Sequence, residues 1–226
     1  MALSWTLTGK FRYEVYFNCE CCVIDVFDSK GYWENRYKTG DNSGSGSYNR
    51  LALFKAEIIN RFIKTKNVTS IIDYGVGDGN QLKLINTQEI EYTGIDVSAT
   101  VFDKCKNMFS EDTTKSFIHT DQINTVSKGD LVLSCDVIYH LIEDSVYEEY
   151  MANLFDMSER YVIIYAKNED ISHALHVKFR RFSTYIEEYL PEWECIEHIK
   201  NKYPQKVLGN KNNKTSPSDF YIYQKK

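Results

Sequence analysis

No segment of this 226-residue chain carries the G-x-x-x-x-G-K-[ST] phosphate cradle, and none carries the G-x-G-x-x-G turn of a dinucleotide site. No apolar run approaches the roughly 20 residues that a membrane span needs. The opening residues, Met1 to Lys10, have neither the basic lead nor the apolar stretch of a secretory signal. A cytoplasmic location is therefore the expectation. A long basic stretch is also missing and the net charge is −5, so a nucleic-acid backbone would gain little attraction and is not an expected partner. Among the six cysteines, the close group Cys19, Cys21 and Cys22 has no second close pair to complete a zinc site. Reduced cysteines and no metal are expected, with Cys135 read as core packing.

What is present points to one substantial core: 42% of residues are hydrophobic and 26% charged. The most informative run is Ile71-Ile72-Asp73-Tyr74-Gly75-Val76-Gly77-Asp78-Gly79-Asn80. An apolar, β-branched strand ends in an acid, and glycines follow at alternate positions, where a Cβ would block a tight turn or a close approach. A second strand, Tyr92 to Ile95, ends in Asp96, an acid suited to the paired hydroxyls of a ribose. Together they describe a nucleoside site. Asp73 and Asp78 would repel a pyrophosphate but tolerate a cationic ligand, so S-adenosylmethionine fits better than NAD or ATP.

Residues 11–27 read as one or two strands, and residues 1–30 as an N-terminal extension. The oligomeric state is open; a strand in that extension could pair with another subunit. The main domain is 31–226, with 31–66 as an N-terminal lid and helix. Residues 39–47 form a flexible loop, and an amphipathic helix covers 48–65 with Ser47 as N-cap. Strands are expected at 68–74, 91–96, 116–120, 130–135 and 160–166, and helices at 79–88, 98–109, 144–156 and 171–190. Two further strands near 193–200 and 219–224 complete an α/β fold. It is a Rossmann-like sheet of about seven strands, mostly parallel with an antiparallel C-terminal hairpin, and helices on both faces.

Asp73, Gly75, Gly77 and Gly79 match the first motif of the class I methyltransferases, which this chain resembles, and Asp96 matches that family's ribose-binding acid. By the same resemblance Asp121 takes the adenine amino group; its alternative is a strand-end turn. Ligands of open α/β sheets sit at the carboxyl ends of strands, which places Asp136, Tyr139 and His140 near the reacting methyl. The sequence there is not the Asn/Asp-Pro-Pro-Tyr of amino-group methyltransferases, which favours an oxygen acceptor. An alcohol must lose a proton, so His140 and His176 are candidate bases, with Asp136 orienting His140. The alternative for His140 is a packed helix-start residue.

Strings such as Tyr32-Trp33-Glu34-Asn35-Arg36-Tyr37, Gly77-Asp78-Gly79-Asn80-Gln81-Leu82 and Asp136-Val137-Ile138-Tyr139-His140-Leu141 are similar to a narrower group of bacterial and viral methyltransferases often linked to surface-glycan genes. So are Ser43 to Tyr48, His176-Val177 with Arg180, and Ser218 to Tyr223. That resemblance implies a small-molecule or glycan acceptor. It implies cofactor contacts from Trp33, Arg36 and Gln81, with Arg36 forking the methionine carboxylate, and acceptor contacts from Tyr48, Tyr139, His173 and Arg180. Trp33 reads equally well as a hydrophobic anchor. Phe179 departs from the group, where a basic or imidazole side chain is expected.

Overall fold

The computed structural model of the chain describes residues 27–205 and 215–226. Of the strands expected within 11–27, all but Phe27 lies outside the described residues, as do Cys19, Cys21, Cys22 and the His173 side chain. The strands are β1 (Ser70–Tyr74), β2 (Glu91–Asp96), β3 (Lys115–His119), β4 (Gly129–Cys135), β5 (Ser158–Ala166), β6 (Ile171–Ala174), β7 (Val177–Phe179), β8 (Trp193–Ile199) and β9 (Asp219–Lys225). The helices are α1 (Ser29–Lys38), α2 (Asn49–Lys66), α3 (Ala99–Met108), α4 (Asp144–Asp156) and α5 (Phe182–Tyr189).

Seven strands form one sheet in the order β3-β2-β1-β4-β5-β9-β8. The first five run parallel, while β9 pairs antiparallel with both β5 and β8. This is the expected α/β architecture. Successive side chains of a strand point to opposite faces, so the inner strands can be apolar throughout only if both faces are covered. They are: Ile71, Leu131, Leu133 and Ile163 pack with Phe54, Ile58, Ile59 and Phe62 of α2 and with Val101 of α3. Their neighbours Ile72, Val132 and Ile164 pack on the other face with Met151, Leu154 and Phe155 of α4 and with Phe182 and Ile186 of α5. Full burial of such side chains stabilises the sheet by roughly 1.5–3 kcal/mol each.

Three local expectations need correction. The turn after Gly79 does not enter an α-helix over 79–88; only a short 3-10 turn forms at Leu82–Leu84. Asn60 of α2 intercepts that backbone, donating to the Leu84 carbonyl (2.9 Å) and accepting from the Asn86 amide (2.7 Å). Helix 171–190 is also shorter than the pattern implied. Its first half is the β6–β7 hairpin, with Ile171 opposite Phe179, and α5 starts only at Phe182. Asp170 accepts from the Arg181 amide and Asn168 from the Ser183 amide, supplying the acceptors that a helix start requires. Finally, Tyr48 rather than Ser47 precedes α2, without a side-chain cap.

Asn60→Ala should lower stability by about 1–2 kcal/mol, because it strands one carbonyl and one amide at once. Urea unfolding reads this directly; an unchanged midpoint would show that the 82–86 turn holds itself.

Candidate active site

The carboxyl ends of β1, β2 and β4 face a cavity of about 590 Å3, to which α1 contributes Ser29, Lys30, Trp33 and Tyr37. The glycine-rich turn forms its floor. Gly75, Gly77 and Gly79 hold φ of 101°, 58° and 77°, a region that side chains disfavour. A Cβ at Gly75 would also run into Val137, and one at Gly77 into Ser43. The amides of Gly75 and Val76 both donate to the Ile95 carbonyl (2.7 and 3.1 Å), tying the turn to β2.

Asp96 is then gripped from two sides. The Gly77 amide donates to one carboxylate oxygen (2.9 Å) and the Ser98 amide to the other (3.0 Å). The Val97 amide adds to their pull, and the two oxygens still keep lone-pair capacity for a further donor. Burial nonetheless pushes its carboxyl up to about 6, against the pull of those amides. Asp73 is likewise raised to about 6 by burial, opposed by the Tyr92 hydroxyl, which donates to it at 2.7 Å, and by Lys55. Asp78 behaves differently. It accepts from the Ser43 amide (3.1 Å), the Tyr48 hydroxyl and the Asn80 amide (3.1 Å), so it clamps the 43–48 loop onto the turn instead of offering charge to a ligand.

Asp136 follows β4 with φ of 62°. Its carboxylate accepts from Lys55 Nζ (2.7 Å) and from the Tyr139 hydroxyl (2.7 Å). Lys55 comes from α2 with its side chain only 1% exposed. Burial works against its charge, but Asp136 beside it holds its pKa above the ordinary lysine value. Next in the chain, His140 lines the cavity, its ring edge-on to Trp33 with centroids 4.8 Å apart. Its Nδ1 meets the His176 carbonyl at 3.0 Å. A carbonyl only accepts, so Nδ1 carries the proton and Nε2 keeps its lone pair. Burial drives its pKa down to about 4, leaving the ring neutral at physiological pH.

Of the residues singled out from sequence, Trp33, Asp73, Gly75, Gly77, Gln81, Asp96, Asp121, Asp136 and His140 line this one cavity. Asp121 sits exposed at its β3 side, bonded to Lys30 at 2.9 Å. The others are placed elsewhere. Gly79 lies against Cys105 and Phe109, outside the cavity lining. Arg36 donates to the Asn42 carbonyl (2.8 Å), also outside it. Tyr48 and Tyr139 spend their hydroxyls on Asp78 and Asp136. Arg180 holds the Ile142 carbonyl (2.8 Å) and the Asp144 carboxylate (2.7 Å), fastening the hairpin to the start of α4. The His176 ring stacks on Tyr32 at 5.5 Å, next to His140 and not in the lining. Phe179, at the end of β7, is buried against Tyr139.

Sequence reasoning passed over Lys55, Ser43 and Glu34. Lys55 had a legible signal, since a charge on the apolar stripe between Leu51 and Ile59 needs a buried partner. Glu34 had none. It reaches from α1 to the start of α3, accepting from the Ser98 hydroxyl and from the Thr100 hydroxyl (3.0 Å). Burial raises its carboxyl, but these bonds and Lys38 outweigh that and hold it at about 2.

No family model and no curated protein sequence matches the chain. Solved structures do. Magnesium protoporphyrin IX methyltransferase (ChlM) from Synechocystis PCC 6803, with bound SAM, superposes with a TM-score of 0.64 at 12% identity, covering 89% of this chain and 99% of that one. N-methyltransferase NodS from Bradyrhizobium japonicum WM9, in complex with S-adenosyl-L-homocysteine, gives 0.64 at 14% identity over 88% and 99%. The methyltransferase domain of bacterial CtHen1-C gives 0.57 at 19% identity over 77% and 98%. The fold is the Rossmann-like methyltransferase fold. Of these three names only the first states an acceptor, magnesium protoporphyrin IX, and at such low identity the fold leaves the acceptor of this chain open.

Asp73 carries a stability consequence. Its pKa in the folded chain, about 6, exceeds its ordinary 3.8, so its contribution is present at low pH and lost as pH rises through that window. Asp73→Asn keeps an acceptor for Tyr92 and removes the titration. The ligand-free variant should gain at most about 2–3 kcal/mol over wild type between pH 4 and pH 7. Melts at both pH values test this; equal slopes would contradict it.

Proposed function

We propose that the chain transfers the methyl group of S-adenosylmethionine to a hydroxyl of a small polar acceptor, a sugar, nucleotide sugar or glycan end. One observation carries this reading: Gly75, Gly77 and Asp96 line the same cavity as a neutral His140 whose Nε2 is unprotonated. Asp96 would accept from the ribose hydroxyls and Asp121 from the adenine amine, while the buried carboxylates favour a ligand of net positive charge. Bound there, S-adenosylmethionine supplies an electrophilic methyl.

The chain's own part is to align the acceptor and to take its proton. Aligning two reactants removes several kcal/mol from a barrier, roughly 7–11 at best. As the acceptor oxygen gains the methyl it becomes a strongly acidic oxonium, so even a base with a pKa near 4 removes its proton at Nε2. Trp33 against one edge of His140 and the His176 carbonyl at Nδ1 hold that ring in place. The sugar class rests on the resemblance of the strings around Trp33, Asp78 and His140. A nucleic-acid acceptor finds little here: Lys30, Lys178, Arg180 and Arg181 each face a carboxylate, of Asp121, Asp144, Asp144 and Asp170.

The test is transfer of tritiated methyl from S-adenosylmethionine into separate pools of free sugars, nucleotide sugars and oligonucleotides. Label in a sugar pool, stable to alkali, is expected; label in oligonucleotides alone would sink the acceptor class. His140→Ala should lower turnover by about 100-fold, within the range of general-base losses, with cofactor affinity little changed. The acid limb assigned to His140 should fall near pH 4, because protonation silences it only below that point. A limb near 6.5 that survives His140→Ala would assign the base elsewhere.

A further inference from the structure

His140 ends a single 3-10 turn, Ile138–His140, which its amide closes on the Val137 carbonyl at 2.8 Å. A turn of one such bond is weak by itself. Asp136, which leads into it, has φ of 62°, a region that a side chain disfavours and keeps only where its surroundings enforce it. The Asp136 amide donates to the Tyr165 carbonyl at 2.9 Å. One carboxylate oxygen takes Lys55 Nζ at 2.7 Å, and the other takes the Tyr139 hydroxyl at 2.7 Å. That last bond runs back from the residue next to His140, so carboxylate and turn close a ring. The two neighbouring side chains also touch, with the Tyr139 and His140 rings 4.5 Å apart at their centroids.

Lys55 ties this ring to the core. It stands on α2, whose Phe54, Ile58 and Ile59 are packed against the sheet, and its side chain is 1% exposed. Its ammonium also lies over the Tyr165 ring, 5.5 Å from the centroid. We infer that Lys55 is a positioning residue for His140: through Asp136 and Tyr139 it fixes the turn that holds the ring against the His176 carbonyl. It thereby decides which ring nitrogen keeps a lone pair for the acceptor. This rests on the proposed role of His140 as the base. Asp136 acts on His140 along the chain and not by a bond to the ring, whose Nδ1 meets the His176 carbonyl at 3.0 Å. Without the ammonium, the Asp136 carboxylate, 12% exposed, would lose its cation. Turning toward water relieves it, and that gives up the Tyr139 bond and the left-handed backbone together.

The tautomer of the His140 ring reads this without any acceptor. Proton–nitrogen NMR spectra of the full chain, isotope-labelled at histidine, separate the Nδ1–H form from the Nε2–H form. The wild type should show His140 as Nδ1–H alone, its signals assigned by their loss in His140→Ala. Lys55→Met should mix the two forms, and Lys55→Arg should restore part of the wild-type pattern. Tyr139→Phe, which leaves the ion pair and cuts its link to the turn, should mix them too. It carries the comparison should Lys55→Met fail to fold. A ring that stays wholly Nδ1–H in these variants would reduce Lys55 to a structural ion pair and overturn the inference. Turnover gives a second readout: Lys55→Met should lower it by up to about 100-fold, the scale of a group displaced by about an ångström. The losses should not add, so Lys55→Met with His140→Ala should be no slower than His140→Ala alone. Additive losses would overturn the inference as well. A wild type that methylates no acceptor would contradict the proposed function instead, with the tautomer comparison still deciding the role of Lys55.

Discussion

Three carboxylates stand at the carboxyl ends of three adjacent parallel strands, and a single buried lysine stands among them. Asp96 ends β2, Asp73 lies near the end of β1 and Asp136 follows β4. Lys55 pairs directly with Asp136. Asp73 and Asp96 have hydroxyl and amide donors instead, and burial pushes both up to about 6. A site of this kind is under electrostatic tension while empty and relaxes when positive charge enters it. Much of the remaining architecture sets that tension: the glycine turn that brings backbone amides to Asp96, the strained Asp136 that anchors Lys55, and the loop that Asp78 pins in place.

Above these carboxylates lies α1, which holds to the rest of the fold mainly through polar bonds. Ser29 meets Glu143, Lys30 meets Asp121, Glu34 caps the start of α3, and the Tyr37 hydroxyl pairs with Ser43 at 3.0 Å. Only Ser29 and Tyr37 of this helix are buried. A wall fixed by such bonds can keep water from the cavity without adding much apolar core. Beyond α1 the β6–β7 hairpin leans on the same region, its turn offering the carbonyl that sets the His140 tautomer. Two peripheral elements thus complete a site whose charged floor belongs to the central sheet.

The sheet was legible from the chain because parallel strands covered on both faces are written as unbroken apolar runs. Ile71-Ile72 and Leu131-Val132-Leu133 say so plainly, and Asp73 and Asp96 mark where those runs end. The glycine register was equally clear, since positive φ at alternate positions leaves few other residue choices. What failed was local and had a common cause: side chains distant in sequence took over the backbone. Asn60, which lies 24 positions before Leu84, captured the segment after Gly79 before a helix could form. Asp170 and Asn168 delayed α5 until after a hairpin that the 171–190 pattern did not announce. Arg36 and Arg180, ligand contacts by resemblance, here bond to nearby carbonyls and a carboxylate. Lys55 was the reverse case, a charge in an apolar stripe whose partner lay 81 positions away.

Under the proposed function, the cavity takes a cationic adenosyl ligand and refuses a pyrophosphate. Calorimetric titration of the ligand-free protein with S-adenosylmethionine, and separately with NAD and ATP, tests it most directly. Micromolar binding of S-adenosylmethionine and none of the other two is the expected result. Binding of ATP or NAD with no response to S-adenosylmethionine would contradict it, and the methyl-transfer reading would fall with it.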